Sequence, residues 1–114
     1  MAGLYGSADA VAALTLAGQK EIDYLFGYLA NSRCEFYRNG TWYDSTKAEA
    51  HLRGKYGFLK FSVNMTEDFI EKVASRSSLT GKPYQVRCGL GAPLPSSQWL
   101  MNELMRYRLK PGPS

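Results

Sequence analysis

The segment Cys34-Glu35-Phe36-Tyr37-Arg38-Asn39-Gly40-Thr41-Trp42-Tyr43 restricts the fold of this chain more than any other stretch. Asn-Gly is the strongest short hairpin signal, because a two-residue type I′ turn needs positive φ at both central positions. With Asn39-Gly40 at the tip, Arg38 faces Thr41, Tyr37 faces Trp42 and Phe36 faces Tyr43. Both aromatic couples are good cross-strand pairs, and they lie on opposite faces of the ribbon. One step further out, Glu35 would oppose Asp44, so the ladder is expected to stop short of that like-charged pair.

Only one other stretch reads convincingly as a strand. Tyr84-Gln85-Val86-Arg87-Cys88 places Tyr84, Val86 and Cys88 on one face and Gln85 and Arg87 on the other. Cys34 and Cys88 are the chain's two cysteines, and their separation of 54 positions excludes a CxxC redox or zinc spacing. Two free buried thiols and one disulfide both remain open. The bridge is favoured because each cysteine ends a strand that can pair with the other. It would set the late strand against the first hairpin arm, whereas without it either arm is available. Closing such a loop would contribute roughly 4 kcal/mol in the chain-entropy picture, and the bond would persist only in an oxidising compartment.

Helical patterning fills the rest. Ile22, Leu25, Phe26 and Leu29 form an i, i+3, i+4, i+7 stripe in a helix from Thr15 to about Asn31. Thr46 and Glu49 read as a capping box for a second helix, with Ala48, Leu52, Tyr56 and Leu59 along one face. Lys47, His51 and Lys55 make its basic edge, and Phe58 and Phe61 are expected core anchors. Thr66 caps a third helix, in which Phe69, Ile70 and Val73 face inward and Arg76 suits the C-terminal end. Ser77 to Pro83 reads as a polar connector and Gly89 to Pro95 as a loop. Ser96 or Ser97 caps a last helix with Trp99, Leu100, Leu104 and Tyr107 inward, stopped by Pro111-Gly112-Pro113. The expected fold is α+β: a three-stranded antiparallel sheet, hairpin plus one late strand, covered by about four helices. Residues 1–14 read as a flexible lead-in, 15–110 as one domain and 111–114 as a tail.

At 114 residues the chain is long enough for one core, and its net charge of +4 is mild. No apolar run approaches the roughly 20 residues of a membrane span. Met1 to Gln19 has no basic start, and Asp9 interrupts it, so it does not read as an intact signal peptide. Its small residues suit a mature N-terminus left after cleavage, and a cytosolic start remains open.

Five stretches carry a resemblance to a known family. They are Glu21-Ile22-Asp23-Tyr24-Leu25, Cys34-x-Phe36-x-Arg38-Asn39-Gly40-x-Trp42-Tyr43, and His51-Leu52-x-x-Lys55-Tyr56. The fourth runs from Asp68-Phe69-Ile70 through Ser77-Ser78-Leu79-Thr80-Gly81-x-Pro83-Tyr84 to Arg87-Cys88-Gly89, and the fifth joins Trp99-Leu100 to Tyr107-Arg108. Over roughly Glu21 to Arg108 the sequence resembles the YfeK-like domain of unknown function, a family of small bacterial envelope proteins. The resemblance implies export through a cleaved signal and a periplasmic location, and so supports the disulfide. It implies no activity and assigns no catalytic residue.

The chemistry-bearing residues are few. His51 is the single histidine, and a general base needs partners within hydrogen-bond reach. A Ser-His-acid arrangement could draw on Ser77 or Ser78 with Glu49 or Asp68, without a nucleophile-elbow pattern. No carboxylate run has calcium-loop spacing, so no metal and no cofactor is expected. Ser77 to Lys82 hints at a phosphate cradle but follows a helix C-terminus and reads as a hydrogen-bonded turn. Tyr37, Arg38, Trp42, His51, Lys55 and Arg87 together read as a basic, aromatic surface around the hairpin. Aromatic core packing is the competing reading. The partner this surface suits is an envelope protein or an anionic cell-wall ligand, with nucleic acid not expected. The function expected is a non-enzymatic envelope binding module; the alternative is a small hydrolase or transferase using His51.

Overall fold

The hairpin forms around Asn39 and Gly40, whose φ values of 49° and 92° are those a type I′ turn requires. In the computed structural model, which describes residues 13–110, strands β1 (Glu35–Arg38) and β2 (Thr41–Asp44) pair in the expected register. The readings for residues 1–12 and 111–114 lie outside the described residues. The ladder runs one pair further than expected, to Glu35 opposite Asp44. Each carboxylate has its own partner: Glu35 accepts from Arg87 at 2.7 Å, and Asp44 accepts from the Lys47 backbone N–H at 2.9 Å. Repulsion across the pair is thereby offset.

β3 (Gln85–Arg87) lies antiparallel to β1, with Val86 opposite Phe36 and Arg87 opposite Glu35. One step beyond that last pair, Cys34 and Cys88 are joined in a disulfide. The sheet has four strands rather than three. Leu94 and Pro95, read as loop, form β4 on the far side of β3, giving the order β2-β1-β3-β4. Proline is tolerated there because an edge strand needs no N–H on its outer side. A two-residue strand also leaves no alternation for sequence patterning to register.

Helix α1 (Leu16–Asn31) begins as expected, with the Thr15 hydroxyl accepting from the Gly18 N–H at 3.0 Å, and buries Ile22, Leu25, Phe26 and Leu29. Helix α2 (Ser45–Leu59) starts two residues earlier than expected, capped by Asp44 and not by Thr46. Its inward face is Ser45, Ala48 and Leu52, continued by the partly buried Tyr56 and Leu59. Phe58 falls off that face, and Phe61 lies in the 3₁₀ turn Lys60–Ser62 that follows; both expected anchors are nearly fully exposed, at 89% and 88%.

The third helix departs most from expectation. α3 (Thr66–Asp68) is a single turn that continues as a π-helical turn, Phe69–Val73, closed by the Ala74 N–H on the Phe69 carbonyl. Thr66 is not its cap. It is buried and donates to the Glu21 carboxylate of α1, a long-range partner that outcompetes local capping. Asp68 instead turns back to accept from the Asn64 N–H. Helix α4 (Ser96–Leu109) is entered through Pro95, and Ser96 spends its hydroxyl on the Ala74 carbonyl at the end of the π turn.

The core lies where α1, α2, the π turn and α4 meet the inner sheet face, around Phe26, Phe69, Val86, Leu100 and Leu104. Trp99 packs edge-on against Phe36, and Phe69 edge-on against both Phe26 and Tyr56. Polar clamps close the helix layer. Arg108 reaches from α4 to Glu21 at 2.8 Å and to Glu67 at 2.7 Å, and holds both carboxyls below their ordinary range. Glu103, 3% exposed, accepts from Tyr24 of α1 and from Arg106. Burial pushes Glu103 upward, but these two hydrogen bonds outweigh it and hold the carboxyl low. The same carboxylate, with burial, raises the Tyr24 hydroxyl to about 12.

Two stability outcomes are expected. Reducing the disulfide, or replacing both Cys34 and Cys88 with alanine, should lower unfolding free energy by roughly 4 kcal/mol, read by denaturant melts with and without reductant. Arg108→Ala should cost roughly 1–2 kcal/mol at neutral pH. Because Glu21 and Glu67 are depressed in the fold, their contribution is full above the ordinary carboxylate value and is lost as pH falls through the folded one. Arg108→Ala should therefore also flatten the acid limb of the stability profile.

Candidate ligand-binding site

The inner face of the hairpin and the basic edge of α2 converge on one concave region. Alternation along β1 carries Phe36 and Arg38 to the helix side of the sheet and Glu35 and Tyr37 to the other. Arg38 lies over the Tyr43 ring at 4.8 Å, leaning toward α2. From α2, Lys47, His51 and Lys55 rise at four-residue spacing along one edge, so they form a row. Tyr84, just before β3, closes the region: it is buried, and its hydroxyl meets His51 Nε2 at 3.3 Å and Lys55 Nζ at 3.1 Å.

Two adjoining hollows share Arg38, His51 and Tyr84. The inner one is an apolar cavity of about 120 Å³, whose walls include Leu29, Phe36, Ala48, Leu52 and Leu100 and whose rim includes Lys47. The outer one is a groove of about 600 Å³ running past Lys55 to Phe58 and Leu79. Among the described residues, no aspartate or glutamate lines either hollow. Phe58 and Leu79, 89% and 93% exposed, give the groove apolar shoulders.

Electrostatics in this region run one way. Burial lowers the His51 pKa, and the nearby Arg38 and Lys55 cations lower it further, so the imidazole is neutral at pH 7. Lys55 is also lowered, by burial first and then by Arg76, while it donates to the Arg76 carbonyl at 2.6 Å and to the Tyr84 hydroxyl. With Lys55 donating into that oxygen, the Tyr84 hydroxyl hydrogen is free for the His51 ring nitrogen. Among the described residues, none of Arg38, Lys47 and Lys55 forms an ion pair with a carboxylate.

The six expected surface residues thus fall into two groups. Arg38, His51 and Lys55 meet at the groove. Trp42 and Arg87 lie on the outer sheet face, where Arg87 sits over the Trp42 ring at 4.0 Å and pairs with Glu35. Tyr37 packs against Trp42 at 5.3 Å between ring centres and also borders the inner cavity. Sequence reasoning passed over Tyr84 and Lys47 as site residues. The Lys47-His51-Lys55 spacing was visible, but the tyrosine 33 positions after His51 that completes the row was not.

Of the residues of the Ser-His-acid alternative, His51, Ser77 and Ser78 share the outer groove, whereas neither Glu49 nor Asp68 lines it. The Ser77 hydroxyl accepts from Asn39 Nδ2 and from the Leu79 and Thr80 N–H groups, pinning the 77–82 connector to the hairpin tip as a hydrogen-bonded turn. Glu49 pairs with Arg53, and Asp68 is held by the Asn64 N–H. Among the described residues no three His, Cys, Asp or Glu side chains cluster as a metal site.

What fold and site define together is a small α+β domain, stapled by one disulfide, with a cation-lined groove opening onto an apolar cavity. The chain belongs to a family of unknown function, DUF5329, whose profile matches residues 16–108. It is similar to the uncharacterised protein YfeK of Salmonella typhimurium, with 49% identity over 49 residues, covering 43% of this chain and 41% of that protein. The match thus spans about two-fifths of the relative's length. No solved structure matches. No helix among the described residues is long and apolar enough to cross a membrane.

The depressed His51 predicts a pH effect. The unfolded chain takes up the imidazole proton at higher pH than the fold does, so this group's contribution is full above about pH 6.5 and is lost as pH falls through the folded value. A His51→Gln variant should lose less stability than the parent between neutral pH and pH about 5 in thermal melts.

Proposed function

We propose that this protein is a non-enzymatic binding module of the bacterial cell envelope that holds an anionic ligand or the acidic surface of an envelope protein in the groove between hairpin and α2. The single observation that carries the reading is a concave region holding Arg38, Lys47 and Lys55 with no carboxylate among the described residues that line it. Cations with no counterion inside their own fold attract one from outside, and a concave wall of low dielectric strengthens that field. Tyr37, Trp42 and Arg87 offer a second contact zone on the outer sheet face. The disulfide supports a periplasmic setting, where such bonds persist.

One observation favours a hydrolase or transferase using His51: a neutral imidazole borders the cavity. Against it, Tyr84 rather than a carboxylate holds the ring, and the nearby Ser77 hydroxyl is committed to the connector turn. Binding is the better-supported reading.

Capture of envelope-extract components on immobilised protein separates these readings. An Arg38→Ala/Lys55→Ala double variant should lose most of the captured acidic material, and the parent should lose it as salt rises past about 0.1 M, where the Debye length is near 10 Å. Unchanged capture by a folded double variant would contradict the groove as the site. Replacing His51 with alanine should leave capture within about twofold, since the neutral ring contributes no charge.

A further inference from the structure

The cavity beneath the groove specifies the other half of the ligand. Leu29, Phe36, Ala48, Leu52, Ala74 and Leu100 in its wall are all buried hydrophobic residues. Of the polar residues that also line it, His51, Tyr84 and Ser96 are engaged with one another or with the Ala74 carbonyl. A polar group entering that space would therefore shed its water for few replacement hydrogen bonds, and an apolar occupant is favoured. At about 120 Å³ the space is comparable to dry protein cavities of about 150 Å³ that accept a benzene ring. The rim is the opposite in character, because it carries Arg38 and Lys47 with no acidic neighbour among the described lining residues. Apolar depth under a cationic rim selects molecules with a compact hydrophobic body and a single acidic head.

We propose that this cavity is a binding pocket for a small carboxylate with a compact apolar group, the ring or branched alkyl filling the space between β1 and α2 and the carboxylate resting against Arg38 and Lys47. The inference rests on the reading of the groove as an anion-binding surface, and adds to it a size, a polarity and a depth. A guanidinium fork matches the two oxygens of a carboxylate, and Lys47 supplies a second charge without constraining geometry. A single negative charge also carries a smaller desolvation cost at this half-enclosed rim than a dianion does. His51, neutral and engaged with Tyr84, borders the cavity without repelling an apolar body.

Phenylacetate is the probe, titrated into the full, oxidised chain and followed by amide and methyl NMR shifts. Acetate, phenylacetamide and phenethylamine serve as comparisons that lack the body, the charge or its sign. Phenylacetate should bind with shifts centred on Ala48, Leu52 and Leu100. Acetate and phenylacetamide should bind at least about tenfold more weakly, and the amine not detectably. Arg38→Gln should weaken phenylacetate by about tenfold, and Ala48→Phe, which fills the space, should abolish it. Comparable binding of acetate or phenylacetamide overturns the pocket, as do shifts centred elsewhere or no binding of phenylacetate at all. The ligand series needs no variant, so it decides the matter even if Ala48→Phe fails to fold. Should phenylacetate fail while acidic envelope material is still captured through Arg38 and Lys55, the pocket falls and the groove stands.

Discussion

The bond between Cys34 and Cys88 fixes the register on which the site depends. It sits one step beyond the Glu35–Arg87 pair, at the end of the β1–β3 ladder, and ties a late strand to the hairpin across 54 positions. In a sheet, a slip of one residue would turn every side chain to the other face. Here that slip would expose Phe36 and Val86 and carry Arg38 away from α2. With the register held, Tyr84 arrives one step past the Tyr37–Gln85 pair, on the same side of the sheet as Arg38 and within reach of His51 and Lys55. The geometry of the cationic rim is therefore a consequence of the staple.

The opposite side of the domain is held by a different kind of contact. Arg108 joins the end of α4 to the start of α1 and to α3 in one charge-assisted cluster, and the Tyr24–Glu103 pair joins the middle of α1 to α4. Tyr107 stacks on Tyr24 at 4.3 Å, and Tyr28 on Trp99 at 4.7 Å, so aromatic packing reinforces both joints. These links fix α4 against α1, and Ser96 then anchors the start of α4 to the π turn through the Ala74 carbonyl. Ala74 and Leu100 face the cavity from those two elements. Its inner wall is thus set by contacts made at the far side of the molecule.

Local signals in the chain foretold local structure, and long-range partners account for most of what they missed. Asn39-Gly40 specifies its turn through backbone sterics alone, and the hairpin register and the α1 stripe follow from alternation and 3.6-residue periodicity. The cysteine pairing followed from each residue ending a strand. The caps were harder, because Asp44, Thr46 and Thr66 are all competent capping residues. Which one caps is decided by where the strand ends and by whether Glu21 is waiting for the Thr66 hydroxyl. Phe58 and Phe61 were misplaced for another reason. Hydrophobicity favours burial, but α2 can bury only one face, and Ala48, Leu52 and Tyr56 already occupy it. The candidate site was half legible: the row of cations on α2 shows in the spacing, while Tyr84 and the cavity arise from packing between elements distant in sequence.

The distribution of carboxylates gives the groove its meaning. The chain has ten acidic side chains, and most of those described are engaged away from the groove. Glu21 and Glu67 hold Arg108, Glu103 holds Tyr24 and Arg106, Glu35 holds Arg87, and Glu49 holds Arg53. Asp44 and Asp68 accept backbone N–H groups at helix starts, and Asp23 accepts from Gln19. A fold selected only for stability would be expected to place one of these acids near Arg38, Lys47 and Lys55, because like charges gathered on one concave wall repel and the burial of Lys55 disfavours its charged form. Instead the cost falls on His51, kept neutral, and on Lys55, whose charge is stabilised by a carbonyl and a phenol rather than by an anion. An anion supplied from outside would relieve both, and its binding should raise the Lys55 and His51 pKa values together, since one added negative charge favours the protonated form of each.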